Sequence, residues 1–455
     1  MRTENDTIAA IATAPGAAGI AIIRISGSDA FAIADRIFRC APPIPSQRPA
    51  MQIVYGHIHD DCRDIDEALL LPFRAPASYT REDVVELHVH GGSISARNAL
   101  QRILQHGARP ADPGEFTRRA FLSGRIDLLQ AEAVMDLIAA KSQRAASAAV
   151  EQLEGRLSQV FDAIYAQLIA VAADLEAQLD FDEDELPARA TTELLERLEH
   201  AQDKLQELLA TWEEGHRLRE GTRVVLAGRP NAGKSTLLNR LLGKDRAIVT
   251  PIPGTTRDSL EEQVILRGYP LRIVDTAGLR DADCEIEQEG IRRSRNLMQQ
   301  AEIVILLIDA SRPLDPEDRT LLATCPQHNT LVLLNKTDLG QIVQPSDIGN
   351  LRCVAGSLLQ GPGLAHCQQA LCEMLHLTTL TESHAVISER HRDIAQQAIG
   401  AITQARTTLE TAAESSEMLA ALVLRDGVEQ LGQITGHIYH NDLLESIFSR
   451  FCVGK

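Results

Sequence analysis

Positive charge is in short supply along this chain. Its 455 residues carry 45 Lys and Arg against 63 Asp and Glu, a formal net charge of −18. That balance excludes a general nucleic-acid coat, because binding polyphosphate needs basic surface; a local basic cleft remains open. Aromatic residues are also scarce, at 3% with a single Trp, while Ala and Leu abound, a composition that favours helices. The eight cysteines form no C-x-x-C pair and read as reduced thiols of a cytosolic protein. There is no apolar run of the ~18 residues that a membrane span requires. No signal-peptide pattern, internal repeat or low-complexity segment appears either, so the expected location is cytoplasmic, with at most peripheral membrane contact. What is present is an ordinary apolar fraction of 44%, enough for substantial cores, on a length that suggests about two to four domains.

One stretch carries its chemistry in order. Gly228-Arg229-Pro230-Asn231-Ala232-Gly233-Lys234-Ser235 fits G-x-x-x-x-G-K-[ST]. It follows the apolar strand-like run Val224-Val225-Leu226-Ala227 and precedes the helix-like run from Thr236 to Leu242, which is the context of a phosphate-binding loop. Backbone N–H groups of such a loop surround phosphates, Lys234 neutralises the β/γ oxygens, and Ser235 binds Mg²⁺. Asp275-Thr276-Ala277-Gly278 follows a second strand-like run. Its Asp suits direct or water-mediated Mg²⁺ binding, and Gly278 offers an N–H to a γ-phosphate. Asn335-Lys336-Thr337-Asp338 ends a third. A carboxylate at 338 accepts two hydrogen bonds from the N1–H and 2-amino group of guanine. Adenine lacks that pair of donors, so the expected nucleotide is GTP.

Periodicity divides the rest. Residues 1–120 alternate strand-like runs (20–25, 84–89) with turns and a helix at 96–104. From about residue 127 the period becomes helical. Leu153, Leu157, Val160, Phe161, Ile164, Leu168, Val171, Leu175 and Leu179 predict one long amphipathic helix, ended by the acidic run 180–187. Further helices are expected at 192–214, 389–412, 417–431 and 443–451. The expected fold class is α/β plus all-α, in four segments. These are an N-terminal α/β domain (1–122), a helical domain in two parts (123–219 and 379–455), and an inserted P-loop, Ras-like nucleotide domain (220–378).

These residues resemble the MnmE (TrmE) family of tRNA-modification GTPases over nearly the whole chain. The resemblance rests on the P-loop, on Pro253-Gly254-Thr255-Thr256-Arg257-Asp258 and on Ala277-Gly278-Leu279-Arg280. It also rests on Asp6-Thr7-Ile8-Ala9-Ala10, Arg24-Ile25-Ser26-Gly27, Tyr79-Thr80-Arg81-Glu82-Asp83, Pro113-Gly114-Glu115-Phe116 and the final Phe451-Cys452-Val453-Gly454-Lys455. It implies a GTP-hydrolysing homodimer that works with the FAD-dependent MnmG (GidA) in a heterotetramer. The implied product is an aminomethyl-type group, such as carboxymethylaminomethyl, at C5 of the wobble uridine of certain tRNAs. The implied carbon source is 5-formyl- or 5,10-methylene-tetrahydrofolate.

The resemblance also assigns residues. GTP contacts are carried over to Asn231, Ala232, Gly233, Lys234, Ser235, Thr236, Thr250, Pro251, Ile252, Pro253, Gly254, Thr255 and Thr256, then to Asp275, Thr276, Ala277, Gly278, Asn335, Lys336, Asp338 and Ser357. Ser235 and Thr256 would hold Mg²⁺. Asn231, Thr250, Ile252 and Thr255 would hold K⁺, whose charge replaces that of an arginine finger. Leu279 stands where many GTPases have Gln, so Glu287 is the implied water-orienting residue beside the catalytic Lys234. Folate binding falls to Arg24, Glu86, Arg125 and Lys455, with Cys452 as the candidate reactive thiol. Read alone, Glu86 is only a strand carboxylate and Cys452 an ordinary free thiol. Three departures stand out: Arg125 where some members have Lys, a Gly-poor stretch from Pro15 to Gly19, and Gly356-Ser357-Leu358-Leu359 where Ser-Ala-Lys or Ser-Ala-Arg is usual.

One alternative is set aside and one rival stays open. His57-Ile58-His59 and His88-Val89-His90 each place two imidazoles on one strand face, but no further ligand has metal spacing. A ribosome-assembly GTPase would share the nucleotide motifs, yet such switches append basic RNA-binding domains to them, unlike this acidic chain.

Overall fold

The computed structural model describes residues 6–60, 62–180, 191–243, 261–275, 296–377, 387–411 and 416–455. They fall into two compact units. One comprises Met1–Met135, Gln152–Leu205 and Ile394–Lys455; the other comprises Asp136–Glu151 and Gln206–Asp393.

The first unit is built on a seven-stranded sheet in the order β3-β4-β5-β6-β2-β1-β7. Its strands are β1 (Ile8–Ile11), β2 (Ile20–Ser26), β3 (Phe38–Cys40), β4 (Val54–His59), β5 (Asp64–Phe73), β6 (Val84–His90) and β7 (Arg109–Pro110). All pairs are antiparallel except β1 with β7. The two-residue period of β2 and β6 buries Ile23, Ile25, Val85, Leu87 and Val89 with apolar residues of the helices Ala30–Ile37 and Ser93–Gln105. Arg24, Glu86 and His88 therefore belong to the opposite face. On that face Tyr55, Leu69, His88 and Ile22 stand in register across β4, β5, β6 and β2. Tyr55 is 59% exposed and Leu69 38%, so the β4–β5 part of this face is open to solvent.

Helix Arg156–Asp180 packs along helix Ser416–Thr435 in the same unit. It buries Leu157, Phe161, Ile164, Leu168, Val171 and Leu175, spaced by four and three in a coiled-coil-like seam. The single helix expected from Leu153 is corrected. One helix ends at Leu153, Gly155 turns the chain with φ +83, and the next begins at Arg156. Val160 lies off the seam and is 38% exposed. The helix expected over 192–214 is likewise two, Thr191–Ala210 and Trp212–Glu220. At the break the Thr211 hydroxyl donates to the Leu208 carbonyl (2.7 Å), a local bond that competes with helix continuation. Further helices include Glu115–Leu122, Leu128–Ala139, Glu389–Glu410 and Asn441–Phe448. No described helix is long and apolar enough to cross a membrane.

The second unit has a six-stranded sheet in the order β13-β12-β11-β8-β10-β9. Its strands are β8 (Thr222–Gly228), β9 (Glu261–Leu266), β10 (Tyr269–Asp275), β11 (Ile303–Asp309), β12 (Thr330–Asn335) and β13 (Arg352–Ala355). All run parallel except β9. Its central strands are apolar on both faces, as a parallel sheet covered on both sides requires. Val224, Leu226, Ile305 and Leu333 enter one core; Val225, Ala227, Leu306 and Val332 enter the other. The strand order reverses at β8, and ligands of such sheets bind at the carboxyl ends beside that point.

Candidate functional site

The phosphate loop opens at the carboxyl end of β8. Gly228 has φ +136, and a Cβ there would collide with the Leu307 carbonyl of β11. Gly233 has φ +114 and starts helix Lys234–Leu242; a Cβ on it would strike the Asn335 amide. Both glycines are therefore required by close approach as well as by backbone conformation. Lys234 is buried, and its Nζ donates to the carbonyls of Gly228 (2.8 Å) and Arg229 (2.9 Å), which folds the ammonium across the loop. Ser235 and Asn231 are exposed. Asn231 is left-handed (φ +65), and among the described residues its side-chain amide makes no hydrogen bond. Arg229 is turned away from the loop, paired with Asp315 and with Glu317 (3.2 Å) at the start of helix Pro316–Thr324.

Asn335 ties three segments together. Its Nδ2 donates to Ala232 O (2.8 Å), and its Oδ1 accepts from Leu358 N (3.0 Å). Lys336, itself left-handed, donates to Asp309 at the end of β11 (2.7 Å). Burial pushes the Asp309 carboxyl up, but hydrogen bonds from Lys336 and Ser311 outweigh it and hold the group below its usual value. Asp338 is exposed in the short turn Thr337–Leu339, without a salt-bridge partner among the described residues. Ser357 is buried, and its Oγ accepts from the N–H groups of Leu359 (3.1 Å) and Gln360 (3.0 Å), which shapes the loop.

These parts enclose a cavity of about 530 Å³ that runs from Gly228, Asn231, Lys234, Ser235 and Thr236 to Asn335, Lys336, Asp338 and Ser357. The structure thus brings together the sequence-predicted residues on both sides of the pocket. Sequence reasoning missed Asp309, Arg240, Leu339 and Leu359. Arg240 donates to the Leu358 carbonyl, while Leu339 and Leu359 line the cavity and are 70% and 71% exposed. Asp309 is the register partner of Asn335 on the neighbouring strand, a pairing that no sequence motif signals. Thr250, Pro251, Ile252, Pro253, Gly254, Thr255, Thr256, Thr276, Ala277, Gly278 and Glu287 lie outside the described residues. Asp275 ends β10, but its side chain is likewise outside them.

A second cluster occupies the other unit. Arg24 Nε donates to Glu86 Oε1 (2.8 Å) from the facing position on β2, and Arg24 Nη1 reaches the Gly454 carbonyl at 3.5 Å. Arg24 and Arg125 both lie over the Tyr79 ring, at 5.4 and 4.7 Å from its centroid. The Tyr79 hydroxyl shares a hydrogen bond with the buried Thr117 (3.0 Å). The chain's final residues are held here by backbone contacts. Val453 bridges to Pro113, Gly114 N donates to Cys452 O (3.4 Å), and Gly454 has φ +96 where a Cβ would meet the Ile11 carbonyl. Burial pushes the Lys455 ammonium down, the charge of Arg24 adds to the shift, and Glu86 opposes it. Arg24, Glu86, Arg125 and Lys455, scattered in sequence, thus share one neighbourhood. Cys452 is exposed beside them. Burial raises the thiols of Cys325 and Cys353 to about 11 and of Cys367 to about 12, so these are inert packing groups.

The histidine pairs are kept apart by β5, which separates β4 from β6. His90 bonds Asp66 (2.6 Å), and His88 approaches Glu86 (3.6 Å). Among the described residues no group of three His, Cys, Asp or Glu is arranged to hold a metal.

Comparison with known proteins covers both units of the chain. A family model described as "GTP-binding protein TrmE N-terminus" matches residues 7–125, and one described as "MnmE helical domain" matches residues 128–452. The chain is 43% identical over 468 residues to the tRNA modification GTPase MnmE of Lactiplantibacillus plantarum, covering 100% of this chain and 99% of that one. It is 43% identical over 457 residues to its counterpart in Geobacter metallireducens, covering 99% of each. With that of Natranaerobius thermophilus it shares 40% over 459 residues, 99% of this chain and 100% of the relative.

Proposed function

Because the chain belongs to the MnmE family of tRNA modification GTPases, we propose that its GTP hydrolysis serves carboxymethylaminomethyl-type modification at C5 of the wobble uridine of certain tRNAs. The FAD-dependent MnmG supplies the partner activity, and a reduced folate supplies the carbon. The chain is a GTPase that acts in tRNA modification, and the observation that carries its nucleotide half is the cavity joining the phosphate loop to an exposed Asp338. The wobble-uridine reading is tested by mass analysis of tRNA nucleosides from cells lacking the gene. Loss of C5-modified wobble uridine, restored by the wild-type gene, is expected; an unchanged nucleoside profile with a ribosome-assembly defect would transfer the protein to the rival class.

Phosphate chemistry here is positioning and charge stabilisation. Lys234 would neutralise developing charge on the β/γ oxygens, and Ser235 with Thr256 would hold a Mg²⁺ that adds positive charge there. Among the described residues the Asn231 side-chain amide makes no hydrogen bond, and its oxygen would suit a K⁺ ion shared with Thr250, Ile252 and Thr255. Arg229 is held by Asp315 and Glu317 and supplies no cation to the phosphates. Hydrolysis is therefore expected to run faster in K⁺ than in Na⁺, and Asn231→Ala to remove the difference. Equal rates of phosphate release from the wild-type chain in the two salts would eliminate the K⁺ site.

The folate reading draws support from donor chemistry. Glu86 accepts N–H donors such as a pterin ring presents, while Arg24, Arg125 and Lys455 suit carboxylates and ring oxygens. Glu86→Ala is expected to weaken reduced-folate binding by about ten- to a hundredfold, the equivalent of roughly 1.5–3 kcal/mol for a charged hydrogen-bond partner. GTP affinity should stay intact. An unaltered dissociation constant in calorimetry would return Glu86 to the role of a strand carboxylate paired with Arg24. A homodimer is supported by the open apolar row at Tyr55 and Leu69, which a second copy would cover. Cytoplasmic location follows from the same reading.

A further inference from the structure

Arg81 and Arg125 are exposed arginines without a carboxylate partner among the described residues, in a chain where acidic residues outnumber basic ones by 63 to 45. They lace two loops reciprocally. The Arg81 guanidinium donates to Ser123 O (2.9 Å), and the Arg125 guanidinium donates to Tyr79 O (3.1 Å). A guanidinium has five donors, so each keeps most of its hydrogen-bonding capacity at the surface. The acidic neighbours of Arg81 are committed elsewhere. Glu82 bonds Arg119 and Ser26, and Asp83 accepts from Ala75 N. Arg81 also sits at φ +60, a left-handed conformation that glycine adopts freely and arginine does not favour.

We propose that Arg81, flanked by Arg125 at the edge of the folate cluster, forms a docking surface for the phosphate backbone of an RNA hairpin, the anticodon arm of a tRNA. The proposal rests on the tRNA-modification reading and adds a contact surface to it. A net charge of −18 repels polyphosphate over most of the molecule, so RNA is favoured to approach where exposed cations have no ion-pair partner among the described residues. Around Tyr79 the cations Arg24, Arg81, Arg125 and Lys455 are gathered, with Glu86 as the facing carboxylate. Guanidinium forks match phosphate oxygens in geometry as well as charge. The surface adjoins the Arg24–Glu86 cluster, so a base splayed from the bound loop has a short path to it.

The test uses Arg81→Gly in the full-length chain, since glycine suits φ +60 and leaves the fold unstrained. The probe is a synthetic RNA hairpin with uridine at the wobble position, titrated at several salt concentrations. The variant is expected to bind about three- to tenfold more weakly, with the slope of log K against log salt reduced by about one. Arg81→Lys should restore most of both, and GTP hydrolysis should be unchanged. A wild-type chain that binds the hairpin while Arg81→Gly matches it in affinity and slope overturns the surface alone. A wild-type chain that hydrolyses GTP but binds no RNA overturns the tRNA reading beneath it. Equal competition by a polyglutamate peptide of matched charge also overturns the proposal, because the patch would then serve acidic proteins.

Discussion

Asp338→Asn is expected to exchange GTP for xanthosine triphosphate as the preferred nucleotide. The carboxylate is exposed at the end of the cavity, and among the described residues no guanidinium or ammonium pairs with it. Both its oxygens are thus available to the N1–H and 2-amino group of guanine. Asparagine puts an NH₂ where one oxygen stood, so a donor faces a donor. Hydrogen bonds to a charged partner contribute about 1.5–3 kcal/mol each. Losing both therefore weakens GTP on the order of 10²–10⁴-fold. Xanthine carries an oxygen at position 2 and accepts from the new amide, so its triphosphate gains. The exposed site carries no packing, and the fold should be untouched. Competition titration with the two triphosphates reads the result directly. GTP affinity that survives the substitution would remove Asp338 from base recognition.

The nucleotide site was legible because its motifs are local. Each lies at a strand end whose apolar run announces itself, and a parallel sheet delivers strand ends to one edge. Lys234, Asn335 and Asp338 accordingly line one cavity, as their order implies. The ties that hold the site rigid were not legible. The Arg240 bond to the Leu358 carbonyl and the Lys336–Asp309 pair join residues that no short motif links. The helical stripe shows a different limit. Apolar residues recur through Leu153 and Val160 without a gap, yet Gly155 turns the chain and Val160 faces solvent. Period alone cannot register a left-handed glycine or the difference between a seam and its margin.

The Arg24 cluster was legible only through resemblance. Arg24, Glu86 and Lys455 have no common spacing. They meet because β2 pairs β6 in a register that sets Arg24 opposite Glu86, while backbone contacts at Gly114 and Gly454 seat the final residues beside β1. Nothing in composition or period encodes that approach.

Arg119→Met is expected to destabilise the first unit strongly, for reasons the same sheet supplies. Arg119 is only 11% exposed and bonds Asp6 (2.6 Å), Glu82 (3.1 Å) and Glu115 (3.1 Å). Arg109 shares two of these partners, Asp6 (2.8 Å) and Glu115 (2.6 Å). Methionine keeps much of the stem's volume but leaves three half-buried carboxylates with one cation. Breaking such a network costs about 2–4 kcal/mol, below the full range for a buried pair because Arg109 remains. Acid should narrow the difference. Hydrogen bonds from Arg109 hold Asp6 below its usual value, and in Glu115 the two arginines outweigh burial with the same result. Depressed carboxylates contribute stability above their unfolded value of about 4, and that contribution is lost as pH falls through the folded value. The variant has less to lose, so its deficit against wild type is largest near neutrality and shrinks below about pH 4. The single tryptophan, Trp212, belongs to the second unit, so its fluorescence does not report this change and serves as a control. Hydrogen exchange of the β1 and β2 amides gives the local readout. Protection in those strands that is equal in the two proteins at neutral pH would reduce the network to surface charge.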